Sequence, residues 1–375
     1  MKTTIYDITQ ECRGRIIAVS DVHGHGHYLK GLLKEVSFGK EDALVIVGDL
    51  IEKGGNSLDT VRYCMELRQK NHHIYLSAGN VDLARLGTFL DRSKGHGKRF
   101  LGELYWTKDV WGCGLFLEIL DEMGIALSQV NEENVAQLKE RIDAEYAGEL
   151  AFFHNLPTMI TCGNYIFVHA GVPTDRLETL AQEDGFQFLK TDAFMEQEHQ
   201  FERCVVVGHW PVCLYQKELD CMNPVFDYRR HAVSIDGGCA LKKGGQLNAL
   251  IIPNPYALME EITTAAYDDY PAVHAKTAQE PIPATICIKY FDAEVEMVLA
   301  AGDMVKVRHK SSGVLFDVPE KYLYRRGEKL LCSDFINAGL KVQAGEALKL
   351  VMRTRAGAIV KKDGQMGWYF GELEA

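Results

Sequence analysis

Five apolar runs in the first 210 residues each stop on a residue able to bind a metal, and this repetition restricts the fold more than any other feature of the chain. Arg15-Ile-Ile-Ala-Val-Ser20 leads to Asp21 and His23, and Val45-Ile-Val-Gly-Asp-Leu50 delivers Asp49. Ile74-Tyr-Leu-Ser-Ala78 leads to Gly79-Asn80, Tyr165-Ile-Phe-Val168 to His169, and Val205-Val-Val207 to Gly208-His209. β-Branched runs without polar alternation read as strands buried on both faces. In open α/β sheets, ligands gather at the carboxyl ends of such strands. A single Asp or His after a strand is ordinarily a turn former or helix cap, but six nitrogen and oxygen donors at matched positions call for a shared site.

The intervening segments support an α/β reading. After the first strand, Leu29, Leu32, Leu33 and Val36 recur at helical spacing. After Asp49, Asn56 or Ser57 can cap a helix whose stripe is Leu58, Val61 and Met65. Strand, helix, strand, helix, strand implies a parallel sheet. Residues 82–155 read as a helical insertion over the sheet edge, with Trp106, Trp111 and Phe116 expected as core rather than as substrate-stacking rings. Strands resume at Leu156-Pro157, and 232–239 with 246–252 read as an antiparallel pair. The first domain is thus 1–253. Residues 254–284, punctuated by prolines, read as a linker with one helix over 257–267. Residues 285–375, in short alternating runs, read as a small all-β barrel.

Composition excludes several functions. The net charge of −11, with no basic block, argues against binding a nucleic-acid backbone over a broad surface. No apolar run reaches membrane-spanning length, and the amino terminus lacks the apolar core of a secretory signal. The ten cysteines stand singly, as buried thiols do in a reducing compartment. The expected location is the cytoplasm.

Carboxylate, imidazole and amide oxygen without thiolate suit Mn, Fe or Zn, with Mg possible at a weaker site. Asp49, on the strand expected to be central, is the natural bridge between two ions about 3.5–4 Å apart, which could clamp a phosphoryl group and activate a hydroxide. The reaction class is phosphoester hydrolysis.

These residues resemble the calcineurin-like metallophosphoesterases, and within them the phosphoprotein phosphatase group. The matching motifs are Ser20-Asp-Val-His-Gly24, Gly48-Asp-Leu-Ile-Glu-Lys-Gly54, Gly79-Asn-Val-Asp82, His169-Ala-Gly171, Gly208-His209 and Ile235-Asp-Gly-Gly238. The resemblance implies a sandwich of two sheets flanked by helices. It implies one metal on Asp21, His23 and Asp49 and a second on Asp49, Asn80, His169 and His209, with a bridging hydroxide as nucleophile. The group includes serine/threonine phosphatases and bacterial dinucleoside tetraphosphate hydrolases, so the implied substrate is a phosphorylated small molecule, a nucleotide or a phosphoprotein. The tail beyond 285 resembles small Src-homology-type barrels, implying a partner-docking or self-association role.

Four positions depart from the pattern, one of them Ala78, which stands where an Arg often precedes Gly-Asn. Val81 stands where the family has the His that protonates the leaving group; Glu52 replaces its Asp partner, and Lys53 replaces an Arg that contacts phosphate. Glu52 and Lys53 are carried with Asp49 as catalytic candidates, Lys53 and His25 as substrate-binding candidates, and His25 or His27 as a substitute acid. Loss of a general acid, worth about 10²–10⁴ in rate, favours substrates with good leaving groups. An attenuated or inactive homologue acting as a phosphoryl-ligand sensor or scaffold is the alternative.

Overall fold

The computed structural model describes residues 1–70, 72–239 and 241–374. It divides into two units: Met1–Pro211, Pro224–Leu241 and Gln246–Tyr267 form one, and Val212–Asn223, Lys242–Gly245 and Asp268–Ala375 the other.

The first unit contains strands β1 (Ile5–Asp7), β2 (Ile16–Val19), β3 (Ala43–Val47), β4 (His73–Ser77), β5 (Met159–Cys162), β6 (Tyr165–Val168) and β7 (Cys204–Val207). Its helices are α1 (Gly26–Glu35), α2 (Ser57–Gln69), α3 (Asn80–Leu90), α4 (His96–Val110), α5 (Leu115–Glu122), α6 (Val135–Glu145) and α7 (Ala147–Ala151). One sheet runs Thr263–Tyr267, Leu247–Ile252, β2, β3, β4, and β2, β3 and β4 are mutually parallel. The other runs β1, β5, β6, β7, Ala232–Ser234, Val225–Asp227.

The absence of polar alternation in β2 and β3 has a direct cause, because each strand buries both faces. Ile16, Ala18, Val45 and Val47 meet Ile160, Phe167 and Val206 of the opposite sheet in one core. Ile17, Val19, Leu44 and Ile46 belong to a second core with Leu29 and Leu32 of α1 and Val61 and Cys64 of α2. Each such side chain contributes about 1.5–3 kcal/mol by leaving water. The fold is thus an α/β sandwich of two sheets with helices packed outside, as the resemblance implies, with β2, β3 and β4 ending at one edge. Helices α3 to α7 occupy the expected insertion, where Phe89, Phe100 and Phe116 interlock, with Phe89 and Phe116 stacked at 4.6 Å.

Two expectations are corrected. Residues 232–239 and 246–252 are not an antiparallel pair: Ala232–Ser234 lies parallel to β7 in one sheet, and Leu247–Ile252 lies antiparallel to β2 in the other. The segment 257–267 is not a helix. Its helix-forming first half makes only a 3₁₀ turn at Met259–Glu261, where Leu258 N donates to Glu261 Oε2 at 2.7 Å. Its β-branched second half, Thr263–Tyr267, pairs with Leu247–Ile252 at the sheet edge. Edge pairing outweighs the weak helical propensity of this stretch.

The second unit is antiparallel. Asp220–Cys221, Gln365–Tyr369, Ala358–Lys362, Ala347–Arg353, Ala272–Ala275 and Leu373–Glu374 form one sheet, and Val295–Ala301, Met304–His309 and Leu315–Pro319 another. Val273, Leu348, Val360 and Tyr369 share its core. Since Thr263–Tyr267 is a strand of the first unit and Ala272–Ala275 a strand of the second, 254–284 is not the expected linker with one helix. Among the described residues no helix is long and apolar enough to cross a membrane.

Candidate metal centre

The loops that follow β2, β3 and β7 hold their polar residues in an uncommon backbone conformation. Asp21, His23, Asp49 and His209 have φ of 52°, 47°, 49° and 64°. Left-handed geometry costs a non-glycine residue about 1–3 kcal/mol and persists only where the surroundings enforce it. Here the β2 and β3 loops are laced together, with Asp21 N donating to Gly48 O at 3.2 Å, His23 N to Asp49 O at 3.0 Å and Gly24 N to Leu50 O at 2.9 Å. His209 N donates to Asp21 Oδ2 and Val81 N to Asp49 Oδ1, each at 2.9 Å. Two glycines permit the approach: a Cβ on Gly79 would lie 2.1 Å from Asp49 N, and one on Gly48 2.5 Å from His169 Nδ1.

The resulting cluster is buried. Asp21, Asp49 and His169 present ligand atoms within 4.8 Å of one another. His23 Nε2 lies 3.7 Å from both Asp21 Oδ1 and Asp49 Oδ2, and His169 Nε2 lies 3.6 Å from the same Asp49 Oδ2. His23 Nδ1 is 3.2 Å from Ile51 O and His169 Nδ1 is 3.0 Å from Val47 O. A carbonyl can only accept, so each Nδ1 carries the proton and each Nε2 turns a lone pair inward. Asn80 Oδ1, another acceptor, is 2.9 Å from His169 Nε2. Donor atoms bound about 2.1 Å from one cation at right angles are roughly 3 Å apart, so this convergence of acceptors fits a metal. His209 is less committed to the centre, because its ring lies 5.1 Å from that of His169 while its Nε2 faces Asp192 Oδ1 at 3.3 Å.

The electrostatics agree with the donor chemistry. Burial and the neighbouring Asp49 carboxylate push Asp21 up to about 8. Burial alone would raise Asp49 too, but His169, His23 and Lys53 hold it at about 2. Burial and Lys53 lower His23 to about 3, and burial and His169 lower His209 to about 4. The two buried carboxylates thus differ, Asp49 being held down by its His and Lys neighbours while Asp21 is pushed up by burial and by Asp49.

The remaining sequence candidates separate. Lys53 Nζ lies 2.9 Å from His23 Nε2, at the centre. The Glu52 carboxylate instead turns into the helical layer, where Oε1 accepts from Leu115 N at 2.9 Å and Oε2 lies 3.4 Å from Arg85 Nε. Burial raises Glu52 to about 7. His25 Nδ1 lies 3.0 Å from His23 O, and the His25 ring is 5.5 Å from that of His27 and 5.3 Å from Tyr28, at the start of α1. Val81 is 8% exposed and fills its position with methyl groups. Sequence reasoning missed Asp82, fully buried, whose Oδ1 accepts from Leu50 N at 3.0 Å and Ile51 N at 3.2 Å and so fixes the turn carrying Asp49. Its place two residues after Asn80 was the available signal.

Comparison with known proteins agrees with this architecture. Two sheets with a buried Asp and His cluster at the strand ends define a metallophosphoesterase domain. Residues 14–233 match the family model for calcineurin-like phosphoesterases, and the chain belongs to that family. It is 32% identical over 120 residues to a symmetrical bis(5'-nucleosyl)-tetraphosphatase of Buchnera aphidicola, covering 30% of this chain and 43% of that protein. It is 37% identical over 92 residues to the enzyme of that name from Proteus mirabilis, covering 24% and 33%. The chain therefore spans less than half the length of either relative. A solved protein serine/threonine phosphatase from Saccharomyces cerevisiae superposes with a TM-score of 0.41 at 14% identity, covering 72% of this chain and 84% of that one.

Proposed function

We propose that this chain is a metal-dependent phosphohydrolase that cleaves phosphoanhydrides and other phosphates with good leaving groups. The observation that carries this reading is Asp49 Oδ2, which stands 3.7 Å from His23 Nε2 and 3.6 Å from His169 Nε2. One carboxylate oxygen between two imidazoles would let Asp49 serve both sets of candidate ligands. Asp21, His23 and Asp49 would hold one cation, and Asp49, Asn80, His169 and His209 the other, with Mn or Fe favoured and Zn compatible. Metal ions bound there would polarise a phosphoryl oxygen and would lower the pKa of water at the site.

The chain's own residues do the rest. Lys53 offers a point charge to a phosphate, without the bidentate fork of arginine. The carbonyls of Ile51 and Val47 keep both imidazoles in the ligating tautomer. Val81 has no proton to give, so an alkoxide would depart unassisted whereas a phosphate or phenolate would not need assistance. Relatives named as dinucleoside tetraphosphatases support a nucleotide phosphoanhydride as the substrate class. The free cysteines are compatible with a reducing, cytoplasmic setting. The second reading, a phosphoryl-ligand sensor of little activity, is favoured by Val81 and by the Lys53 ammonium at 2.9 Å from a candidate ligand.

Metal analysis and turnover with Mn, using a dinucleoside tetraphosphate, an aryl phosphate and an aryl diester, test the proposal. The wild type should bind Mn and cleave at least the first. Asp49→Asn should lose most metal and on the order of a hundredfold or more of kcat/KM. A wild type that binds Mn yet cleaves none of the three would favour the sensor, and one that binds no metal would end both readings.

A further inference from the structure

Trp106 and Trp111 are not part of the aromatic core of the helical layer, which Phe89, Phe100 and Phe116 build without them. The two indoles meet edge to face at 5.0 Å, and the Arg85 guanidinium lies in their angle, 4.9 Å from one ring centroid and 4.8 Å from the other. Arg85 is itself tied to Glu52 and Glu103. With one face backed by this cation, Trp106 still keeps 46% of its surface exposed, so its other side opens to solvent. An exposed indole already locked in place loses little freedom when a second ring stacks on it.

Contacts also link the platform to the residues of the centre. Arg85 follows the candidate ligand Asn80 by five residues on α3, about 7.5 Å of helical rise. Cys113, two residues beyond Trp111, brings its Sγ within 3.5 Å of Lys53 O. Glu52, on the same turn as Lys53, holds Arg85. The loop that carries the phosphate-binding candidate is thus bound to the elements that carry both indoles.

We infer that Trp106, braced by Arg85 and Trp111, is a stacking platform for the nucleobase or aryl ring of a substrate whose phosphates lie at the Asp49 centre. This deepens the proposed function and rests on it for the position of the phosphates. The 46% exposure of Trp106 itself departs from the expectation that this ring is core.

The test compares two phosphoanhydrides, a dinucleoside tetraphosphate and inorganic tripolyphosphate, which differ in carrying rings. In Trp106→Ala the preference for the ringed substrate, as a ratio of kcat/KM values, should fall about tenfold, mainly through KM, with partial recovery in Trp106→Phe. In parallel, tryptophan emission of the full chain is titrated with ADP and with tripolyphosphate. ADP alone should quench the wild type, and Trp106→Ala should lose most of that quenching. An unchanged ratio, or ADP quenching that persists in Trp106→Ala, overturns the platform. If the wild type cleaves neither substrate, the hydrolase reading falls, while ADP quenching still decides the platform.

Discussion

Under the proposed function, Val81 is where a single side chain would most directly set which phosphates the centre cleaves. Its N–H holds Asp49 Oδ1 at 2.9 Å, so the backbone contribution of this position is kept while the proton donor is missing. Val81→His should therefore raise turnover of an alkyl phosphomonoester by about tenfold or more and leave an aryl diester nearly unchanged. Equal effects on the two substrates, measured as a kcat ratio, would show that the missing acid does not limit the reaction. The candidate ligands were legible because six nitrogen and oxygen donors recur at matched positions after uninterrupted apolar strands, although each alone would read as a turn former or cap. Asp82 stood in a matching motif but was not singled out, because it serves the backbone N–H groups of Leu50 and Ile51, and Asp192 sits in a loop without periodicity. Glu52 was a catalytic candidate because it stands where the family has the Asp partner of its His, whereas its carboxylate faces Leu115 and Arg85.

At the scale of elements, two carboxylates are exchanged between the loop after β3 and the helical layer. Glu52, just ahead of α2, accepts from Leu115 N at the start of α5, and Glu118 of α5 accepts from Ser57 N at 3.0 Å and Leu58 N at 2.8 Å at the start of α2. Each helix thus has amino-terminal N–H groups satisfied from the other, which is also where the helix dipole favours an anion. Glu118→Ala should leave two buried donors unpaired and destabilise the first unit by about 1–3 kcal/mol. Faster amide exchange at the start of α2 and a lower denaturant midpoint would report it, and an unchanged midpoint would show that the helices hold one another by apolar packing alone. No sequence pattern announces such a long-range cap, since a surface Glu and a capping Glu look alike. The same limit explains 257–267, where local propensity indicated a helix and an open sheet edge decided otherwise.

For the whole molecule, the second unit depends on a buried charge that the first does not share. Asp268 accepts from Lys361 Nζ at 2.7 Å and Lys349 Nζ at 2.8 Å, and both Asp268 and Lys361 are 3% exposed as side chains. Burial would raise Asp268, but the two ammonium groups outweigh it and hold the carboxyl below its ordinary value of 3.8. Lys361 is also lowered, because burial costs it more than one shared carboxylate returns. Asp268→Asn would strand that ammonium, and removing one partner of a buried pair costs about 3–5 kcal/mol. Exchange protection should fall in Ala347–Arg353 and Ala358–Lys362 and hold in β2 and β3. The sign of the pH effect follows from the depressed carboxyl: the pair's stabilisation is complete above about pH 5 and is lost as the pH drops through 3.8 toward the lower folded value. In the wild type those two strands should therefore lose protection on acidification through that window, and Asp268→Asn should flatten the response. Acid sensitivity that survives in Asp268→Asn would assign it to another carboxylate.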